Sequence, residues 1–338
     1  MSGATRRPAF VTGGTGLLGS HLVERLVADG WRVKALVRTT SDTSFLETLG
    51  TAVEFVTGDV TEGAEPLEAL VAGADTVFHC AAFVDDSAPR AEMYRINVTG
   101  LENLLEASAA AGLRRFVHVS SAVVYGSDPQ HDLDETAPYV HTGDNYNYTK
   151  ISAEELALAY AARGLPVIVL RPPYIYGARD RQFLSRLVGS IESGVFTYIG
   201  DGSAPLTLVW AKNLADVMVK AASVEDRVGQ VYNVTDGESI TRRQLVELVC
   251  DVMGLDVPTK KVPVRLARTL VPLFELIARM TGKTPRLNRF KFKFMAVPLT
   301  FSIEKTRAEL GYEPLKPQRE SLREAIEWFR DNRPDRKA

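Results

Sequence analysis

Tyr146 and Lys150 stand four residues apart in the stretch Asn145-Tyr146-Asn147-Tyr148-Thr149-Lys150. If that stretch is helical, both side chains lie on one face. A lysine ammonium beside a phenol stabilises the tyrosinate and lowers a pKa whose free value is about 10. Such a tyrosine gives or takes a proton near neutral pH. The spacing alone carries little weight, because 11 tyrosines and about a dozen lysines make roughly 0.4 such pairs by chance. Tyr312 and Lys316 match it with Pro314 between them, and Tyr148 has no lysine four residues on. The setting separates Tyr146 from these. It follows Ser120-Ser121-Ala122-Val123-Val124-Tyr125-Gly126, which closes a predicted strand, and open α/β sheets place ligands at the C-terminal ends of strands. Ser121 is the candidate to hold a substrate oxygen, while at least one of Ser120 and Ser121 serves ordinary strand-end turn chemistry.

A second cluster is built from glycine: Thr12-Gly13-Gly14-Thr15-Gly16-Leu17-Leu18-Gly19. Gly13 allows a tight turn, Gly16 lets a pyrophosphate approach bare backbone, and Gly19 lets a helix pack on a strand. Thr15, Leu17 and Leu18 complete the loop and are read with the glycines as cofactor contacts, since a helix N-terminus offers free amides to phosphates. The pattern alone also describes a glycine-rich turn. Its place between a first strand and an amphipathic helix selects the dinucleotide reading. An acidic residue about 20 residues on would grip a free ribose 2′-hydroxyl. That place holds Val37, followed by Arg38-Thr39-Thr40-Ser41. Arg38 is either a solvated loop residue or a bidentate partner for a 2′-phosphate. The missing carboxylate and the added guanidinium point the same way, to NADP(H), with NAD(H) the alternative.

The elements that must position these residues follow from periodicity. Short β-branched runs alternate with helical periods, the pattern of a parallel sheet covered by helices. Strands are predicted at Ala9 to Val11, Val33 to Val37, Val53 to Val56, Thr76 to His79, Phe116 to Ser120 and Val167 to Leu170. Leu18, Leu22 and Leu26 mark a helix stopped by Gly30, and Val98, Leu101 and Leu105 mark another. A helix from Asn145 to Arg163 carries Tyr146 and Lys150. The expected fold is α/β, a Rossmann doubly wound parallel sheet with helices on both faces. Residues 1–178 form the dinucleotide domain and residues 179–338 a smaller, mainly helical substrate cap. Cap helices are expected at Phe183 to Ser193, Leu214 to Ser223, Arg242 to Met253 and Glu320 to Arg330, with Val231 to Val234 returning to the main sheet.

These residues together resemble an extended short-chain dehydrogenase/reductase of the NAD(P)-dependent epimerase/dehydratase superfamily, over nearly the whole chain. The matching pieces are Thr12 to Gly19, Gly58-Asp59-Val60, His79-Cys80-Ala81-Ala82, Asn97-Val98-Thr99-Gly100, Ser120 to Gly126, Tyr146 to Lys150 and Arg171 to Gly177. The resemblance implies Ser121, Tyr146 and Lys150 as catalytic residues. It implies cofactor contacts at Asp59 and Val60 (adenine), at Cys80, Ala81 and Ala82 (beside the ribose), at Asn97 and Val119, and from Pro172 to Ile175 (carboxamide). Tyr146 and Lys150 would touch the cofactor as well. Val33-Lys34-Ala35-Leu36-Val37-Arg38 is similar to the NADPH-using dihydroflavonol-reductase type. Asp180-Arg181-Gln182-Phe183-Leu184 and Phe301-Ser302-Ile303-Glu304-Lys305 resemble the 3β-hydroxysteroid (sterol) dehydrogenase type. Sugar-nucleotide epimerases of this fold usually show Asn-Leu where this chain has Arg179-Asp180-Arg181. Dehydratases carry Asp-Glu where Ala122-Val123 follow Ser121.

The expected function is therefore hydride transfer on a secondary alcohol or ketone of an apolar, sterol-like or polyketide-like substrate. A nucleotide-sugar epimerase or dehydratase with tightly held NAD is the second reading, and a catalytically silent NADP-sensing protein the third. Bulk properties agree with a packed enzyme: 338 residues, 45% hydrophobic, 24% charged, net charge −2. That balance gives no reason to expect nucleic acid as a partner. Cys80 and Cys250 make neither a disulfide framework nor a metal knuckle, so no metal is expected and a reduced, cytoplasmic setting is. No secretory segment is read in Met1 to Arg7, and no run approaches the ~18 apolar residues of a membrane span. The expected assembly is a homodimer. From Val262 to Val297, eight basic residues (Arg265, Arg268, Arg279, Lys283, Arg286, Arg289, Lys291, Lys293) accompany one acid, Glu275. Leu266, Leu270, Leu273, Ile277 and Met280 follow a helical stripe that Pro272 is expected to split into two short helices. The stretch is either cap core with a solvated basic face, or an apolar substrate mouth with weak peripheral contact to an anionic lipid surface.

Overall fold

A computed structural model of the chain describes residues 7–85, 88–126, 128–281, 292 and 296–333. The first half alternates strand and helix: β1 (Pro8–Thr12), α1 (Leu17–Ala28), β2 (Arg32–Val37), α2 (Ser44–Glu47), β3 (Val53–Thr57), α3 (Ala64–Val71), β4 (Thr76–His79), α4 (Arg90–Tyr94), α5 (Gly100–Ala111) and β5 (Arg115–Val119). Next come β6 (Gln130–Leu133), α6 (Asn145–Ala162), β7 (Val167–Arg171) and β8 (Tyr174–Tyr176). The remainder holds α7 (Phe183–Glu192), β9 (Tyr198–Ile199), β10 (Pro205–Trp210), α8 (Ala211–Ser223), β11 (Val231–Asn233), β12 (Ser239–Thr241), α9 (Arg242–Met253), β13 (Lys261–Val262), α10 (Val264–Thr281) and β14 (Leu299–Phe301), then helices Glu304–Leu310 and Gln318–Asp331.

Seven strands form one parallel sheet in the order β11-β7-β5-β4-β1-β2-β3. Every residue of β4, β5 and β7 is buried, as expected of strands covered on both faces. On one face Leu22 and Leu26 of α1 and Leu214 and Met218 of α8 pack over Val11, Val33 and Ile168. On the other, Leu67, Leu101, Leu105 and Ala157 cover Phe10, Val77, Phe116 and Val169. Each such side chain contributes about 1.5–3 kcal/mol on leaving water. The chain runs from β1 to β2 and β3 on one side, then returns to β4 on the other. That reversal opens a crevice at the C-terminal ends of β1 and β4, where ligands bind in open α/β sheets.

The segment Val231 to Val234 does return to the main sheet, as β11 beside β7. The cap carries more strand than its sequence suggests: β10 is flanked by β12 and β14, pairs with β8, and β14 reaches β6. Its apolar centre joins Tyr176, Leu184, Trp210, Leu245, Val249 and Ile326.

Pro272 does not split the stripe. α10 is one helix from Val264 to Thr281 with Pro272 inside it. A proline removes one backbone bond and crowds the preceding turn. Pro272 is exposed, so water can serve the carbonyl left without a partner, and the helix continues. Ala267 and Val271 are buried, whereas Leu266, Leu273, Leu276, Ile277 and Met280 are exposed. The stripe is a surface row rather than cap core. Lys283, Arg286, Arg289, Phe290, Lys291, Lys293 and Phe294 lie outside the described residues. Among the described residues no helix is long and apolar enough to cross a membrane.

Candidate active site

β1 ends in the glycine turn. Gly13 sits at φ +70°, and a Cβ there would lie 2.6 Å from the backbone nitrogen of Ala81. Only glycine lets this turn rest on the Cys80–Ala81 backbone at the end of β4. A Cβ on Gly19 would fall 2.1 Å from the Gly13 carbonyl oxygen, so the helix starts directly on the turn. Gly16 N donates to Gly13 O at 3.0 Å. Gly16 is exposed and no side chain caps α1. The first-turn amides at Leu17 and Leu18 are thus free of intrahelical partners, an anion site at the positive end of a helix. These features fit a dinucleotide pyrophosphate, and Thr15 and Leu18 lie in the same loop.

Thr12 joins β1 to β4: its Oγ1 bonds His79 Nδ1 at 2.7 Å and accepts from Ala81 N at 3.4 Å. His79 stacks on His118 at 5.6 Å. Burial pushes both imidazoles down, His79 to about 3, with the Lys150 charge adding to the effect. At the end of β2, Arg38 is exposed and its N–H donates to Ser41 Oγ at 3.0 Å. Asp59 caps the turn that follows β3, accepting from Thr61 N at 2.9 Å, and Val60 packs over Gly100. Asn97 is buried and engaged: Oδ1 accepts from Phe83 N at 2.7 Å, and Nδ2 donates to Phe83 O at 3.0 Å and Thr149 Oγ1 at 3.3 Å. It shapes the loop after Ala82 from behind.

α6 begins at Asp144, whose carboxylate accepts from Asn147 N at 2.7 Å. Asn147 is fully buried, and Nδ2 donates to Val123 O at 2.8 Å and Val140 O at 3.0 Å. The first turn of α6 is thereby tied to the short helix Ala122–Tyr125 that follows Ser121. That tie brings Tyr146 to Ser121, near enough for the serine hydroxyl to favour the tyrosinate. Ser121 Oγ also accepts from Val123 N at 3.2 Å, so it serves the turn and the site together. Ala122 N donates to Pro172 O at 2.9 Å, which sets the Pro172 to Ile175 segment beside them.

Lys150 is buried. Its Nζ donates to Val119 O at 3.0 Å and lies 5.9 Å from the centre of the Tyr146 ring. Burial pulls its pKa down to about 8, with Glu154 pulling the other way. The expected lowering of the Tyr146 phenol is not a property of the protein alone. Burial pushes it up to about 12, Asp144 adds to the rise, and only the nearby Ser121 hydroxyl opposes them. The physical reason is that the ammonium reaches the Val119 carbonyl instead of the phenol oxygen.

A buried polar group beneath these residues escaped sequence reasoning. Glu154 accepts from Ser120 Oγ at 2.5 Å, from Arg171 and from the Tyr139 hydroxyl at 3.0 Å. Arg171 also donates to the Tyr125 hydroxyl at 2.7 Å, which donates to Asn233 Oδ1 at 2.6 Å. The signal was available: Tyr146, Lys150 and Glu154 recur every fourth residue, on one helical face.

Fold and site together define a dinucleotide-dependent oxidoreductase of the extended short-chain dehydrogenase/reductase class. The chain belongs to the NAD dependent epimerase/dehydratase family, which matches residues 9–235. It is 33% identical, over 90% of this chain and 91% of the relative, to the 4-hydroxy-2-methyl-3-oxo-4-farnesyl-3,4-dihydroquinoline-1-oxide ketoreductase of Stigmatella aurantiaca. It is 31% identical, over 95% of this chain and 91% of the relative, to a 3-beta-hydroxysteroid dehydrogenase of Mycolicibacterium neoaurum. The solved structure of MoeE5 in complex with UDP-glucose and NAD superposes with a TM-score of 0.76 at 28% identity, covering 96% of this chain and 99% of that one.

Proposed function

We propose that the enzyme is a ketoreductase or secondary-alcohol dehydrogenase for an apolar, sterol-like or polyketide-like hydroxy or keto substrate. The observation that carries this reading is the convergence of Ser121, Tyr146 and a buried Lys150, whose Nζ lies 5.9 Å from the centre of the Tyr146 ring, at the switch point of the parallel sheet. A nicotinamide held in this crevice would supply the hydride for reduction of the carbonyl carbon, or accept it in oxidation of the alcohol. Ser121 and Tyr146 hold the substrate oxygen, and the Tyr146 hydroxyl gives its proton to that oxygen as negative charge develops there. A phenol held up to about 12 is protonated throughout the neutral range, which suits a donor. Lys150 holds the nicotinamide ribose and favours the tyrosinate left behind. Pro172 to Ile175 hold the carboxamide, Asp59 and Val60 the adenine, and Arg38 the 2′-phosphate of NADP(H).

The apolar substrate class is supported by the two relatives, one named for a farnesyl-bearing substrate and one for a steroid. The test is a panel of apolar ketones and UDP-sugars offered to purified enzyme with NADPH or NADH added. The expected result is a protein that purifies free of dinucleotide and reduces ketones with added NADPH. A protein that retains NAD and turns over only UDP-sugars would overturn the reading.

A further inference from the structure

We propose that Glu154 is a positioning residue for this reaction: it fixes the strand end that bears Val119 and Ser121, and it stands one helical turn beyond Lys150 on the same face of α6. The inference rests on the proposed Ser121, Tyr146 and Lys150 relay and adds a residue to it.

Glu154 is wholly buried, with a side-chain exposure of 0%. Its Oε1 accepts from Arg171 Nη2 at 2.5 Å and Nε at 2.9 Å, and from the Tyr139 hydroxyl at 3.0 Å. Its Oε2 accepts from Ser120 Oγ at 2.5 Å. Stability alone gives no need for this pair, because desolvating two charges offsets most of their attraction and apolar residues of similar size pack as well. Placement gives the reason. Ser120 lies between Val119, whose carbonyl anchors Lys150 Nζ, and Ser121, whose hydroxyl meets Tyr146. The Ser120 backbone is pinned from one side by the bond of its N–H to Leu170 O at 2.8 Å, and its side chain from the other by Glu154. One carboxylate therefore sets the position of both partners of the relay.

The electrostatic part follows from what faces each group. Around Lys150 stand Tyr146 and Glu154 from its own helix, His79 and Cys80 from the end of β4, and His118 from β5. The imidazoles are neutral, pushed far down by burial. Around Glu154 stand Arg171 from β7, Tyr139 ahead of α6, and Ser120. The carboxylate facing Lys150 is Glu154, and it opposes the burial that pulls the ammonium towards neutrality. Removing that negative charge lets Lys150 lose its proton at lower pH. That change moves the alkaline limb of reduction towards acid.

The experiment measures kcat against pH for the panel ketone that the wild type reduces fastest, in wild type, Glu154→Gln, Ser120→Ala and Tyr146→Phe, with NADPH affinity measured alongside. Glu154→Gln keeps an acceptor for Ser120 and loses the charge, so its alkaline limb is expected to fall by about half a pH unit or more. Ser120→Ala keeps the charge and loses the tether. It is expected to lower kcat roughly fivefold or more with the limb unmoved and NADPH affinity within about twofold of wild type. If Glu154→Gln does not fold, Ser120→Ala decides alone, and wild-type kcat there overturns the proposal. An inactive Tyr146→Phe beside a Glu154→Gln with wild-type limb and rate overturns this inference and leaves the relay standing. An active Tyr146→Phe, or no ketone reduced at all, overturns the relay and this inference with it.

Discussion

Lys150 gives the site its pH dependence. Burial draws its ammonium down to about 8, so the charge is present below that pH and is lost as pH rises through it. Reductive kcat is therefore expected to be level near pH 6–7 and to fall above about 8. A pH–rate profile checks this, and a rate still level at pH 10 would place the ionisation elsewhere. Replacing Lys150 should impair both turnover and cofactor affinity. Arg38→Ala should weaken NADP(H) by roughly tenfold to a hundredfold, the worth of one charge-assisted contact, and weaken NAD(H) far less. Titration of both cofactors into both proteins measures this, and equal losses would mean that Arg38 supports the adenine face only. Tyr146, Lys150 and Ser121 were legible because their relation is local spacing at a strand end. Thr12 with His79, and Glu154 with Arg171 and Ser120, were not. Those bonds join residues of different elements; the four-residue period places Glu154 on the face of Tyr146 and Lys150 but names no partner for it.

The glycine turn shows what an element contributes that no single residue does. Gly13→Ala would combine a left-handed backbone, costing about 1–2 kcal/mol for a residue with a Cβ, with a methyl 2.6 Å from the Ala81 nitrogen. The turn must then move off β4. The expected outcome is at least tenfold weaker NADPH binding together with a lower melting temperature. A variant with wild-type affinity would show that the turn does not form the phosphate site. Helices were readable from apolar residues at helical spacing, as with Leu18, Leu22 and Leu26 before Gly30, and the structure adds caps at Asp144 for α6 and at Thr241 with Gln244 for α9. The cap strands were not. β9, β12, β13 and β14 span two or three residues each, too few for a period-two pattern; β12 and β14 form on the edges of β10, and β9 and β13 on each other. Pro272 misled for a related reason, since its cost depends on whether water reaches the carbonyl it frees.

Across the whole molecule, charge and apolar surface are unevenly placed. The 262–297 stretch is basic in a chain of net charge −2, so the rest is acidic, and α10 presents Leu266, Leu273, Leu276, Ile277 and Met280 to solvent. Contact with an anionic lipid surface is one of the two sequence-based readings of this stretch, and an exposed apolar row is what such contact needs. Sedimentation with anionic and neutral vesicles at two salt concentrations checks it. The expected result is binding to anionic vesicles only, lost at high salt, whereas no binding at low salt would contradict it. The crevice at the ends of β1 and β4 carries the central claim, that this oxidoreductase moves hydride with a proton from Tyr146. The most direct measurement is NADPH oxidation with an apolar ketone by wild type and Tyr146→Phe at equal cofactor saturation. The account predicts a loss of at least ~10²-fold in kcat with NADPH binding kept, and a Tyr146→Phe enzyme that retains most of its activity would contradict it.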